Sequence, residues 1–354
     1  MLNTDNLVIA EEILFIATVI TYLVSSVLYI WHLVTRNRRA VVMGFVLLAL
    51  GLVAQTASLL LRWYTSGHAP MSDTYESLSL FAWGVVLAFI ITERFYPVKS
   101  AGAIVVPSAF LISLVALIFY EDPADLVPAL QSYWLWIHVS IAMIAYGLFA
   151  LAFGAGFFYI VQEYLLKKQY ENVKTAFVLL LAGLGAVLGL WFGSWWSEPE
   201  MVIDAAGNPD KIYAGIDIIK IIGSLAVGLL LGLILGSLAG RGAARPAFST
   251  RLPSLDVLDE VSYRAIAIGF PMLTIGIATG AIWADIAWGR WWGWDPKETW
   301  SAITWFYYGA YLHTRLTLGW RGRHSALIAV TGMAVVLFTY FGVNFLLSGL
   351  HAYA

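Results

Sequence analysis

The chain predicts an all-α, polytopic transmembrane bundle of about ten spans with both termini extracytoplasmic, and three observations lead there. Hydrophobic residues fill 60% and charged residues only 12% of its 354 positions, where soluble domains carry about 25% charged residues. Mean hydropathy is +0.79, and apolar runs of roughly 20 residues, enough to cross a bilayer, recur along the whole length. The basic residues concentrate in every second connection, the asymmetry that orients helices in a membrane.

The first basic residue is Arg36, so a cleaved secretory signal, which needs a basic start, is not expected. The first span covers about 11–34, and the Arg36, Arg38, Arg39 cluster behind it should stay on the cytoplasmic side. The following spans are expected near 41–61, 77–92, 103–120, 134–161, 175–195, 216–238, 263–284, 300–318 and 325–347. Of the 20 Lys and Arg residues, only Arg62, Lys211, Lys220, Arg290 and Lys297 fall on the outer side in this arrangement, leaving 15 inside. Moving the assignment by one span would invert that ratio.

Between the spans, Trp63–Glu76 is polar and turn-rich, and Glu121–Trp136 carries three carboxylates and two prolines before an aromatic run. Asn208-Pro209-Asp210 marks a turn in the outer stretch after the sixth span, and 240–253 is an inner Gly/Ala/Arg/Pro linker. No separate soluble domain and no internal repeat is evident. The chain has no Cys, so it performs no thiol chemistry and holds no disulfide. Its partners include membrane lipid, and nothing points to nucleic acid.

The most distinctive stretch is Trp288–Trp300, WGRWWGWDPKETW, with Trp288, Trp291, Trp292, Trp294 and Trp300 broken by Gly289 and Gly293 and followed by Asp295-Pro296. Each buried indole brings an N–H that needs a partner, whereas at a membrane–water boundary the ring keeps its body in lipid and its edge wet. The Pro and the glycines predict a loop or short helix on the outer surface rather than a regular span. Such a surface suits a flat, amphipathic aromatic ligand; the plainer alternative is an interfacial belt.

Ionisable residues within spans are costly and point to function, which singles out histidines. His138 at the outer end of the fifth span and His351 just beyond the tenth lie at the depth of the Trp stretch. Two imidazoles flanking an aromatic shelf could supply both axial ligands of a haem iron, although each taken alone is better read as an ordinary interfacial His. His313 lies roughly 20 Å deeper than Trp300, at 1.5 Å per helical residue, and reads as a helix–helix hydrogen-bond partner or a ligand. Arg315 beside it could snorkel to the inner interface or meet a propionate. Tyr75 and Glu76 are expected to close the site from the third span.

These residues carry a resemblance. WGRWWGWDPKETW, followed by ITWFYYGAYLHTR and ending in VNFLLSGLHAYA, resembles the haem-handling family of cytochrome c biogenesis proteins that contains CcsA, or ResC. GHAPMSDTYES and WLWIHVSIAMIAYG upstream resemble it too, so the similarity covers about 67–354 behind an N-terminal two-span segment, 1–66. Relative to a compact eight-span family core, 175–255 looks like a two-span insertion.

The resemblance implies haem b bound in the membrane and presented on the WWD surface of Trp288, Trp291, Trp292, Trp294, Asp295 and Trp300. It implies His138 and His351 as outer axial ligands and His313 as a ligand of an inner haem, whose second ligand comes from the partner. It further implies covalent attachment to the CxxCH motif of apocytochrome c, as a subunit of a cytochrome c synthase (haem lyase) with a CcsB/ResB-like membrane protein. Thiol-reducing thioredoxin-like proteins would contribute indirectly, and the bacterial plasma membrane is the expected location. A b-type di-haem electron-transfer protein and a solute transporter are the alternatives; the first should show two full His pairs, the second buried mid-membrane carboxylates.

Overall fold

A computed structural model describes residues 4–96, 98–126, 130–195, 202, 203, 209, 210, 218–343 and 347. The chain is a multi-pass membrane protein: among the described residues, eight helices are long and apolar enough to cross a bilayer. The other two expected spans are also helical, Tyr170–Trp195 with 26 residues and Pro296–Thr317 with 22. The second is less apolar because Lys297-Glu298-Thr299 opens it and His313-Thr314-Arg315 closes it. Two compact units emerge, residues 1–160 with 251–354, and residues 161–250.

In the first unit, α1 (Thr4–Thr35) turns back into α2 (Arg38–Ser66) within two residues. Asn37 makes that turn possible, its side chain accepting from the main-chain N–H of Arg39 at 2.9 Å and of Ala40 at 3.3 Å, a standard service of an N-cap Asn. Gly67 ends α2 at φ 73°, and Asp73 starts α3 (Thr74–Phe95) by accepting from Glu76 N–H at 2.7 Å. A short 3₁₀ turn, Lys99–Ala101, leads into α4 (Gly102–Ile118). Helix α1 packs on α2 and α4, and α3 on α4.

The remaining helices are α5 (Tyr133–Leu166), α6 (Tyr170–Trp195), α7 (Ile218–Ala243), α8 (Pro246–Ser249), α9 (Leu255–Trp288), α10 (Pro296–Thr317) and α11 (Arg323–Leu337). The last continues into a five-residue π-helical turn, Phe338–Gly342. Among the described residues, every expected span thus coincides with a helix. The helices overrun the apolar runs where polar residues find partners: α1 begins at Thr4 rather than near residue 11 because Glu11 is fully buried among hydroxyls of other helices.

Buried aromatic residues fill the first unit. Phe149 of α5 stacks on Tyr308 of α10 with centroids 3.7 Å apart and planes 9° from parallel. Ile9, Ile13, Ile20, Val46, Val53 and Phe306 face outward, which costs nothing where lipid replaces water.

The second unit is dominated by the α6–α7 hairpin, where glycines set the separation of the helices. A Cβ on Gly185 would meet the carbonyl of Gly228, and one on Gly228 would meet that of Gly185. Without a hydrophobic drive in lipid, such close backbone approach is what holds helices together. A two-residue antiparallel pairing, Val202 with Asp210 and Ile203 with Pro209, is the one addition to the helical fold among the described residues.

Candidate functional site

The site begins where α9 stops. Gly289, at φ 70°, caps α9 by donating its N–H to the Asp285 carbonyl at 2.8 Å, and α10 restarts at Pro296 behind the N-cap Asp295. Residues 289–295 of the Trp stretch therefore form a loop between two helix ends, as its Gly and Pro residues predict, with Trp288 closing α9 and Trp300 in α10. Trp294 takes the left-handed conformation, φ 58°, which is costly for a residue with a Cβ. It is held there because one oxygen of Glu298 accepts from Gly293 N–H at 2.7 Å and from Asp295 N–H at 3.1 Å. A left-handed residue turns the flanking N–H groups to one side, a geometry suited to a carboxylate. Asp295 returns the contact by accepting from Lys297 N–H at 3.1 Å, completing a capping box.

A cleft of about 170 Å³ opens beside this loop, between α5, α9, α10, the start of α3 and the π turn. His138 lines it from α5, with Nδ1 2.6 Å from the carbonyl oxygen of Gly276 on α9. A carbonyl accepts only, so Nδ1 carries the proton and Nε2 keeps its lone pair. The ring runs nearly parallel to Trp283, 16° between planes at 6.3 Å. Gly280 is what lets it lie so close to α9, since a Cβ there would stand 2.6 Å from Nδ1.

The expected aromatic residues divide. Trp291 and Trp292 line the cleft. Trp288 packs edge-on against Trp283 at 4.7 Å, Trp300 lies tilted against Phe338 at 4.1 Å, and Trp294 is 74% exposed. Asp295 is buried and serves the main chain of α10. His313 lies on an exposed face of α10, its Nδ1 3.5 Å from Thr317 Oγ1. Counting 16 residues at 1.5 Å each puts it roughly 24 Å along the helix from Lys297. His351 lies outside the described residues. Arg315 does not line the cleft; it makes a bidentate pair with Asp259, both contacts 2.7 Å.

Several lining residues were not singled out as site residues from the sequence: Met71, Asp73, Tyr146, Lys297, Thr339 and Tyr340. The last two belong to the π turn, where Thr339 Oγ1 meets Thr304 Oγ1 at 2.8 Å and Tyr340 Oη meets Ser77 Oγ at 2.7 Å. One extra residue in a helical turn re-aims such side chains, and π turns gather at functional sites for that reason.

Asp73, Thr74 and Ser77 present one face of α3 to the cleft, while Tyr75 and Glu76 point into a buried polar network. Arg62 bonds Glu76 at 2.7 Å, Asp73 at 3.1 Å and the Glu121 carbonyl at 2.6 Å. Tyr75 donates to Glu11, which also accepts from Tyr120 at 2.9 Å and Ser58 at 3.3 Å. Tyr75 and Glu76 thus brace the wall of the site rather than close it. Burial, seconded by the Glu76 carboxylate, pushes Asp73 up to about 6 against the pull of its cap hydrogen bond and of Arg62.

Residues 71–351 match the family model described as cytochrome C assembly protein. Curated relatives are similar over nearly their full lengths. The cytochrome c biogenesis protein CcsA of Synechocystis sp. is 36% identical over 307 residues, 84% of each chain. That of Parasynechococcus marenigrum is 36% identical over 337 residues, 94% of this chain and 92% of its own. That of Porphyra purpurea is 36% identical over 305 residues, 85% and 83%. On the extent of these matches, the chain belongs to the cytochrome c assembly protein family.

Proposed function

We propose that this chain binds haem b in the membrane, presents it at the Trp loop on the extracytoplasmic side, and supports its thioether attachment to the CxxCH motif of apocytochrome c. One observation carries the reading: Gly276 holds His138 in the tautomer that leaves Nε2 able to coordinate iron, in a cleft walled by Trp291 and Trp292. The donor set fits haem, since neutral imidazole, indole faces and a few polar groups match an amphipathic macrocycle. The cleft is smaller than the roughly 300–1,000 Å³ of ligand pockets, so haem is taken up as an edge-inserted cargo or with separation of the walls. Attachment at two thioethers depends on alignment, and the chain's contribution is positioning.

In this reading His351 is the second outer ligand and His313 serves an inner haem completed by a CcsB/ResB-like partner. The two would act as a cytochrome c synthase in the plasma membrane, fed by thioredoxin-like reductants that keep the acceptor thiols reduced. The haem-handling part is 67–354, with 175–255 inserted.

The absorbance spectrum of the purified chain tests this. A b-type signal that weakens in His138→Ala and His351→Ala and returns with added imidazole is expected. The buried Glu11, Arg62 and Glu76 are what a solute transporter would also need, and a chain that stays colourless when purified with its partner and haem supports that reading instead.

A further inference from the structure

Two outer connections meet beside the cleft, and a buried histidine joins them. His68, in the turn between α2 and α3, is 4% exposed. Its Nδ1 lies 3.0 Å from the carbonyl oxygen of Ala69, and its Nε2 lies 2.9 Å from that of Ala124 in the connection between α4 and α5. A carbonyl only accepts, so these two contacts call for two N–H donors on one ring. Neutral imidazole has one and imidazolium has two. The charged groups on the elements that meet here are Arg62 of α2, Asp73 and Glu76 at the start of α3, and Glu121, Asp122 and Asp125 of the connection. Arg62 crosses the same seam, bonding Glu76 and Asp73 on one side and the Glu121 carbonyl on the other. Its guanidinium keeps its charge at every relevant pH, whereas an imidazolium does not.

Both segments reach the cleft. Beyond Ala69 the turn supplies Met71, Ser72 and Asp73 to its lining. Beyond Ala124 the connection carries Leu126 and Leu130, which pack with Trp283, the ring that runs nearly parallel to His138. We propose that His68, held as an imidazolium, is a proton-dependent clasp on the outer wall of the cleft. Charged, it fastens the turn to the connection. Neutral, it turns a lone pair toward one carbonyl, and that contact changes from attraction to repulsion. The seam then opens about the permanent Arg62 tie, and the cleft of about 170 Å³ gains width between its α3 and Trp283 walls. The clasp is fastened on the acid side and released as pH rises through about 5 to 8, the interval in which histidine changes charge. It acts whatever the cleft carries, so it stands apart from the haem reading.

The chain has no Cys, so Thr74→Cys and Ala124→Cys introduce two spin labels at chosen places, one on the cleft-facing start of α3 and one on the exposed connection. Electron-resonance distance measurements on this full-length chain, purified without haem, should give a narrow distribution at about pH 5 and a longer, broader one at about pH 8. Adding His68→Gln, whose amide donates from a single nitrogen, should give the broad distribution at both. Adding His68→Arg, which keeps several donors and its charge, should give the narrow one at both. Nitrogen NMR of the histidine-labelled chain should show the His68 ring, assigned by its loss in either variant, with both nitrogens protonated while the distribution is narrow. A distribution that ignores pH with His68 in place, or a pH response that survives His68→Gln, overturns the clasp. So does a His68 ring carrying one proton in the narrow state. No haem is present, so none of these results touches the haem reading. Should His68→Gln not fold, the pH series with His68 in place still decides.

Discussion

His138 lies against Gly280 so closely that a Cβ on the glycine would stand 2.6 Å from Nδ1. The imidazole of α5 thus occupies space that α9 provides by lacking a side chain, and Gly276 one turn away supplies the carbonyl that orients it. Gly280→Ala should favour the helix by about 1 kcal/mol while displacing the ring. Haem occupancy, read from the Soret band, should fall as far as in His138→Ala, with a melting temperature close to wild type. Unchanged occupancy would show that the ring's seat on α9 is immaterial.

Glu298 closes the Trp loop by satisfying two main-chain donors with one oxygen. Removing it in Glu298→Ala leaves Gly293 and Asp295 N–H groups without this acceptor, at about 1–3 kcal/mol. Thermal unfolding in detergent should show that loss, and Glu298→Gln, which keeps an acceptor, should lose less.

Arg62 is 1% exposed and holds Glu76, also 1% exposed, at 2.7 Å. Replacing one member of a buried pair strands its partner, so Arg62→Gln should destabilise by about 3–5 kcal/mol. Arg62→Gln combined with Glu76→Gln should lose less than the sum of the two single changes, a coupling that a double-mutant cycle on unfolding energies measures.

Burial pushes the Asp73 carboxyl up to about 6 in the folded chain, above the ordinary value of about 3.9. A raised carboxyl pKa means the folded state holds its proton more tightly than the unfolded one. Its contribution to stability is complete below about pH 4 and is lost as pH rises through about 6. Asp73→Asn keeps an N-cap acceptor and should flatten the melting-temperature profile between pH 4 and 6. An identical slope in both proteins would assign it to other groups.

The aromatic loop was legible because its punctuation is local: Gly289, Gly293 and Pro296 break a regular span, and α9 stops at the first of them and α10 starts at the last. Tyr75 and Glu76 misled for the opposite reason. They sit one helical step from Asp73, Thr74 and Ser77, and which side of α3 meets the cleft depends on where α5 and the π turn lie. Arg315 could have met a propionate, but Asp259, 56 residues earlier, takes both its terminal nitrogens.

Composition, spacing of apolar runs and the distribution of Lys and Arg by themselves determined a many-spanned helical membrane protein with a Trp loop between two late helices, because a bilayer imposes length and polarity residue by residue. Only the tertiary structure decided the tautomer of His138, the company of Lys297 in the cleft, and the diversion of Glu11 and Arg62 into a buried network. Each of those depends on atoms far apart in the chain meeting within hydrogen-bond distance, and no local pattern encodes which ones will.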